Sequence, residues 1–174
     1  LYLSDLFGGV KLVRVTSSTI EKTPVDIFQP AHISVAGDRF VVVSEVSGVV
    51  QLIDRETYVV VGEWGGFDSP GDALEALNGD IIVAETGTGR LLRVTGPAET
   101  DRRVITDELA GPTGLAWASD NVVYVTETDG GRVVRVEIDS GATSVESTGL
   151  DQPEGIAVAE DGSMLVVEVG ARRL

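Results

Sequence analysis

Four glutamates, Glu45, Glu85, Glu127 and Glu168, recur at intervals of 40, 42 and 41 residues, each closing an apolar run, and Asp5 extends the series 40 residues upstream. A period near 40 built from short β-branched runs belongs to a propeller blade, because a helical array of similar period shows apolar residues spaced by about 3.6. Each copy also carries a proline 15 residues before its acid: Pro30, Pro70, Pro112 and Pro153. The chain is a repeat array, and its fold is constrained before any single residue is considered.

Within a copy, a first short strand (Ile33 to Ala36, Leu115 to Ala118, Ile156 to Ala159) meets a turn such as Gly37-Asp38, Asn78-Gly79, Ser119-Asp120 or Asp161-Gly162. Such residues accept positive φ or bond their own backbone, as a tight hairpin requires. The second strand, for example Val122-Val123-Tyr124-Val125-Thr126, is apolar and β-branched almost throughout, the mark of a strand buried on both faces. A Gly-rich turn and a third strand follow (Arg90 to Val94, Arg132 to Glu137), then a weaker fourth (Thr57 to Gly62, Arg103 to Thr106, Thr143 to Ser147). The predicted fold is therefore all-β, a propeller of four-stranded antiparallel blades. Its units are 1–29 (incomplete), 30–69, 70–111, 112–152 and 153–174 (incomplete), in a single domain 1–174. Neighbouring blades must cover each other's apolar strands.

About four blades are present, whereas six or seven need roughly 240–290 residues at this period. The chain starts at Leu1 without a methionine and stops as a third strand begins. It reads as part of a six- or seven-bladed ring, or of a ring closed between copies in a homo-oligomer. The compartment, secreted and periplasmic included, stays open.

A formal charge of -15 and a pI near 4.3 offer no basic stripe for nucleic acid or an anionic membrane, and favour cations or neutral ligands. No run approaches the roughly 18 apolar residues of a membrane span, so a soluble protein without membrane insertion is expected. Zero cysteines remove thiolate chemistry and disulfides, and one histidine removes His-rich metal sites.

The periodic acid is read as structural. Lys11, Arg90, Arg132 and Arg173 follow it by five or six residues in four of the five copies, with Gln51 in the other, so each hairpin pairs a carboxylate with a cation. Arg14, Arg93 and Arg135 on the third strands are read the same way. Chemistry is sought where the copies disagree. The Pro-x-Gly corner keeps its glycine at Gly114 and Gly155 but carries His32 in one blade and Asp72 in the next, and the preceding position holds Ala31, Gly71, Thr113 and Glu154. These corners feed the innermost strands, so His32, Asp72, Thr113 and Glu154 are expected to ring one opening. Such a set suits Ca²⁺ or Mg²⁺, and a carboxylate beside histidine suits acid–base work, with His32 and Asp72 the catalytic candidates.

Glu75 stands where other blades have Val35, Trp117 and Val158. It is either a buried carboxylate near the axis or a sign that Ala73–Leu77 is out of phase, and the shifted apolar residues favour the second. Trp64, in an inter-blade loop with Phe67, is a candidate for stacking on a ligand or for plugging the gap. Gly87-Thr88-Gly89 lacks the strand-to-helix context of a phosphate loop, and no Gly-x-Ser-x-Gly motif occurs.

Phrases such as Pro112-Thr113-Gly114-Leu115-Ala116 and Pro153-Glu154-Gly155-Ile156-Ala157-Val158 resemble the NHL-repeat propellers and the related gluconolactonase, strictosidine-synthase and streptogramin-lyase propellers. The resemblance covers essentially the whole chain. It implies either a ligand-binding or protein-interaction scaffold using one channel mouth, or a divalent-metal hydrolase or lyase acting on a lactone or ester. Gluconolactonase-like members place a cation on the axis with an Asn and an Asp from two such corners. Here those corners hold Thr113 and Glu154, which makes Glu154, with Asp72, the implied metal ligands and His32 a ligand or base.

Overall fold

The computed structural model describes residues 2–3, 13–15, 20–22, 29–96 and 98–170. Five antiparallel sheets follow one another along the chain. The first joins β1 (Tyr2–Leu3), β2 (Val13–Val15) and β3 (Ile20–Lys22). The second is β4 (His32–Ala36), β5 (Arg39–Ser44), β6 (Val49–Asp54) and β7 (Val60–Gly65). The third is β8 (Pro70–Glu75), β9 (Ile81–Glu85), β10 (Arg90–Val94) and β11 (Arg102–Thr106). The fourth is β12 (Pro112–Ser119), β13 (Val122–Glu127), β14 (Arg132–Glu137) and β15 (Thr143–Thr148), and the fifth pairs β16 (Pro153–Val158) with β17 (Met164–Glu168). Among the described residues the only helical segments are the 3₁₀ turns Thr86–Thr88 and Glu99–Asp101.

Every complete sheet is a meander in sequence order, and the innermost strands β4, β8, β12 and β16 touch one another in turn. That is a radial stack of propeller blades. Its core lies between the sheets and is shared by them. In β9, Ile81 and Val83 pack with Val41, Val43, Val50 and Leu52 of the second sheet, while Ile82 and Ala84 pack with Leu115, Val123, Val125 and Val136 of the fourth. Successive side chains of a strand point to opposite faces, so one strand serves two neighbours, each fully buried aliphatic side chain contributing about 1.5–3 kcal/mol.

The connectors are held from both sides. Phe67 N–H donates to Gly48 O of the preceding sheet (3.2 Å), and the next amide, Asp68 N–H, donates to the Glu85 carboxylate of the following one (3.0 Å). Leu109 and Ala110 repeat this with Gly89 O (3.1 Å) and Glu127 (3.1 Å), and Leu150 and Asp151 with Gly131 O (3.0 Å) and Glu168 (2.8 Å). Gly89 and Gly131 sit at φ +69° and +60°, where a Cβ would stand 2.6 and 2.7 Å from Leu109 O and Leu150 O. Both the backbone conformation and the close approach demand glycine.

The acid is therefore a clamp on the incoming connector. Arg90 Nε donates to Glu85 at 2.9 Å and Arg132 Nε donates to Glu127, as the hairpin pairing predicts. Burial pushes the Glu85 carboxyl up, but bonds from Thr88, Asp68 N–H and Arg90 outweigh it and leave it below its ordinary value. Glu45 departs from the expected equivalence: it is exposed, lies in the turn after β5, and has no ion pair among the described residues, while Gln51, which stands in the place of the arginine, donates to Glu63 (2.7 Å). Asp5, Lys11 and Arg173 lie outside the described residues.

Two further expectations are corrected. The outer strand of the second sheet starts at Val60, not Thr57. Asp54 accepts bonds from Glu56 N–H (3.1 Å) and Thr57 N–H (2.7 Å), and Tyr58 adopts φ +57°, so a local turn wins over strand pairing. Glu75 is not a sign of slipped phase: it pairs with Ile81 as Trp117 pairs with Val123, each four residues before its acid. The alternation argument fails because β8 is buried along its whole length, on both faces.

Candidate functional site

Each corner is shaped by the residue before its proline. Gln29, Ser69, Gly111 and Gln152 take φ of +46°, +48°, +64° and +52°, and three of them are not glycine. Left-handed conformation costs a side-chain-bearing residue about 1–2 kcal/mol, so it persists only where neighbours enforce it. The enforcing bonds are Thr86 N–H to Ser69 O (3.1 Å), Thr128 N–H to Gly111 O (2.9 Å) and Val169 N–H to Gln152 O (3.1 Å). The residue after the periodic acid thus sets the corner. Sequence reading found the proline register but not this feature, which no residue type marks.

The glycine of the corner serves close approach. At Gly114 a Cβ would collide with Glu154 O of the next sheet, and at Gly71 it would lie 2.7 Å from Thr113 O. Third-sheet glycine stands one position earlier than in the fourth, which frees position 72 for a side chain. The corners of the third, fourth and fifth sheets bulge by one residue, whereas β4 runs in unbroken register with β5.

Three of the four corner residues expected to ring one opening converge, and Asp72 does not line it because it is buried between sheets. His32, Thr113 and Glu154 line one cavity of about 450 Å³, joined by the periodic acid Glu45 and by Thr86, Thr128 and Asp129 from the hairpins that follow such acids. Four successive sheets contribute. The hairpin residues were missed as site residues, although their position directly after the repeat acid was the available signal.

Asp72 lies buried behind this cavity and bridges sheets. Its oxygens accept Ala73 N–H (2.7 Å) and Leu115 N–H of the fourth sheet (3.0 Å), and His32 Nδ1 stands 3.9 Å from Oδ2. That separation exceeds hydrogen-bond reach, so imidazole and carboxylate interact through charge when the ring is protonated. Burial pushes the Asp72 carboxyl above its ordinary value, while charge attraction to His32 and the two amide bonds pull it back.

Thr113 has its hydroxyl 2.6 Å from Thr128 Oγ1, which donates to Pro153 O at 2.7 Å. Because the Thr128 proton is committed, Thr113 donates within the chain and offers only lone pairs to a ligand. Trp64 is not brought to the site. It lies in β7, not in a loop, its indole N–H donates to Gly96 O (3.0 Å), and its ring packs against the core between the second and third sheets.

Among the described residues no three His, Asp or Glu side chains stand close enough together to hold a metal ion. Asp72 already accepts two amide bonds, and Thr113 lacks the amide oxygen of an axial ligand, so the described residues do not fit a complete cation site.

No protein-family model matches the chain, and neither does any curated protein. Solved structures match its fold. Virginiamycin B lyase from Staphylococcus aureus is similar at TM-score 0.76 and 17% identity, over 97% of this chain and 59% of that one. A catalytically inactive histidine-to-alanine variant of that lyase, with quinupristin, gives 0.70 and 18% over 92% and 57%. A gluconolactonase from Xanthomonas campestris gives 0.75 and 19% over 96% and 65%. The chain has the β-propeller fold of these proteins and spans 57–65% of their length.

Proposed function

We propose that this chain belongs to a ligand-binding propeller whose corner-side mouth takes a neutral or cationic small molecule. The observation that carries the reading is the convergence of His32, Thr113 and Glu154, from three different sheets, on one cavity of about 450 Å³. That volume lies within the range of small-ligand pockets. Glu45, Asp129 and Glu154 stand around it and, among the described residues, no lysine or arginine lines it, so these residues offer an anion no partner other than a protonated His32. Thr113 and the carboxylates accept hydrogen bonds, which favours ligands rich in N–H or O–H donors.

A second reading makes the same mouth a hydrolase or lyase acting on a lactone or ester. It is favoured by His32 facing the cavity with Asp72 behind it, and by a lyase of this fold that is inactive once a histidine is replaced. His32 would act as the proton-transfer group and Asp72 would stabilise its protonated form. Glu154 and Asp72 as ligands of Ca²⁺ or Mg²⁺ belong to this reading and need further donors beyond the described residues.

His32 is the one histidine of these 174 residues, and its ring signals are assigned by NMR from their loss in His32→Gln. Glucono-1,5-lactone, putrescine and citrate are titrated into the full-length protein. Saturable shifts of the His32 ring by the lactone or the diamine, weakened in Glu154→Gln and absent with citrate, are expected. Citrate binding alone, or no shift by any probe, overturns the proposal. Lactone turnover lost in His32→Gln selects the second reading.

A further inference from the structure

We propose that the opposite, hairpin-side mouth is a second small-molecule site, which takes an organic cation: an amine or amidine head against Glu75 and a flat apolar body along Trp117. This does not rest on the corner-side reading. The innermost strands begin at the corners and end at the first hairpins, so His32 and Ala36, at the two ends of β4, lie roughly 13 Å apart along the strand. At the hairpin end the second, third and fourth sheets enclose a separate cavity of about 520 Å³, lined by Arg39, Glu75, Leu77, Trp117 and Asp120 among others.

Glu75 is the anomaly there. Its side chain is only 4% exposed, yet neither carboxylate oxygen accepts an aligned hydrogen bond. Arg39 Nη2 approaches Oε1 at 2.8 Å as an ion-pair contact, and Arg39 Nε is itself without a hydrogen bond, 3.6 Å from Asp38 Oδ1. A buried carboxylate short of donors is costly to keep, and a ligand N–H donor aimed into the cavity completes it. Burial pushes the Glu75 carboxyl above its ordinary value, Arg39 draws it back, and Asp38 pushes it further up.

The remaining lining fits the same ligand. Among the described lining residues Glu75, Asp38 and Asp120 stand against one arginine, an excess of negative charge that favours a cation. Trp117 is half-buried against the core of the third and fourth sheets, and the rim carries Leu77 at 89% and Val35 at 60% exposure. A cavity that sets an apolar wall against a few convergent polar groups is the usual form of a small-molecule site.

The test uses the full-length protein carrying Trp64→Phe, which leaves Trp117 as the one tryptophan of these 174 residues, and Trp117→Phe in the same background assigns its emission. Benzamidine, benzyl alcohol and benzoate are titrated while Trp117 fluorescence and the His32 ring signals are recorded. The proposal expects saturable quenching by benzamidine at millimolar concentration, at least about tenfold weaker binding of benzoate, and an unmoved His32 ring. Glu75→Gln should weaken benzamidine about fivefold or more and leave benzyl alcohol unchanged. Should that variant fail to fold, Asp38→Asn, at a largely exposed position, should still weaken benzamidine measurably. Benzoate binding as tightly as benzamidine, affinity indifferent to both variants, or absent quenching overturns the proposal.

Discussion

Glu127 is wholly buried, and two donors hold it there, the Arg132 guanidinium and the Ala110 amide. Removing it strands a guanidinium and an amide, so Glu127→Ala should cost about 3 kcal/mol in urea unfolding. Glu45 occupies the same place in the repeat but is exposed, and Glu45→Ala should change stability by less than about 0.5 kcal/mol. Equal losses would refute the clamp. The difference was legible in part, because Gln51 breaks the acid–cation spacing, but exposure depends on how the turn after β5 folds. Glu75 was the residue misread: its environment comes from a hairpin of another sheet, which local pattern does not encode. Its raised carboxyl pKa has a sign that can be checked. In the window between the ordinary and the raised value the folded state holds more proton than the unfolded one, so this group's contribution to stability declines as pH rises. Relative to Glu75→Gln, the wild type should therefore lose stability as pH increases through that window, as measured by denaturation at several pH values; a flat difference would show that burial does not perturb the group.

At the level of strands, β9 carries the sharpest consequence. Ile81 and Ile82 are adjacent, chemically identical and both buried, yet they belong to cores on opposite faces. Either substitution by alanine should cost about 2–5 kcal/mol. Hydrogen exchange should nevertheless separate them: Ile81→Ala lowers protection in β5 and β6, and Ile82→Ala lowers it in β13 and β14. Loss of protection in the same strands for both would contradict the two-sided core. The sequence showed that this strand is apolar throughout and hence covered twice. It also located the third strands, since Arg90–Val94 and Arg132–Glu137 are observed as read. What it missed at this scale was the start of β7, because Asp54 closes a turn with its side chain, and the corner bulges, which arise from contact between sheets.

For the molecule as a whole, the arrangement of sheets was legible because it is written five times, and repetition averages out local accidents. The two mouths are the opposite case. Each is assembled from residues in which the copies differ, His32 and Thr113 at one end, Glu75 and Trp117 at the other, so no periodic signal points to them. Their common feature is a surplus of carboxylate over cation, in keeping with the net charge of -15. The connectors tie this scale to the smaller ones. Phe67 and Asp68 give their consecutive amides to different sheets, so neither sheet owns the joint between them. Duplication of one module therefore inherits half a seam at each border, and the halves match where the modules bring the same acid and the same glycine, as Glu85 with Gly89 and Glu127 with Gly131 do. Lengthening such a chain by one unit needs no new joinery, which leaves the variable positions at the openings free to diverge.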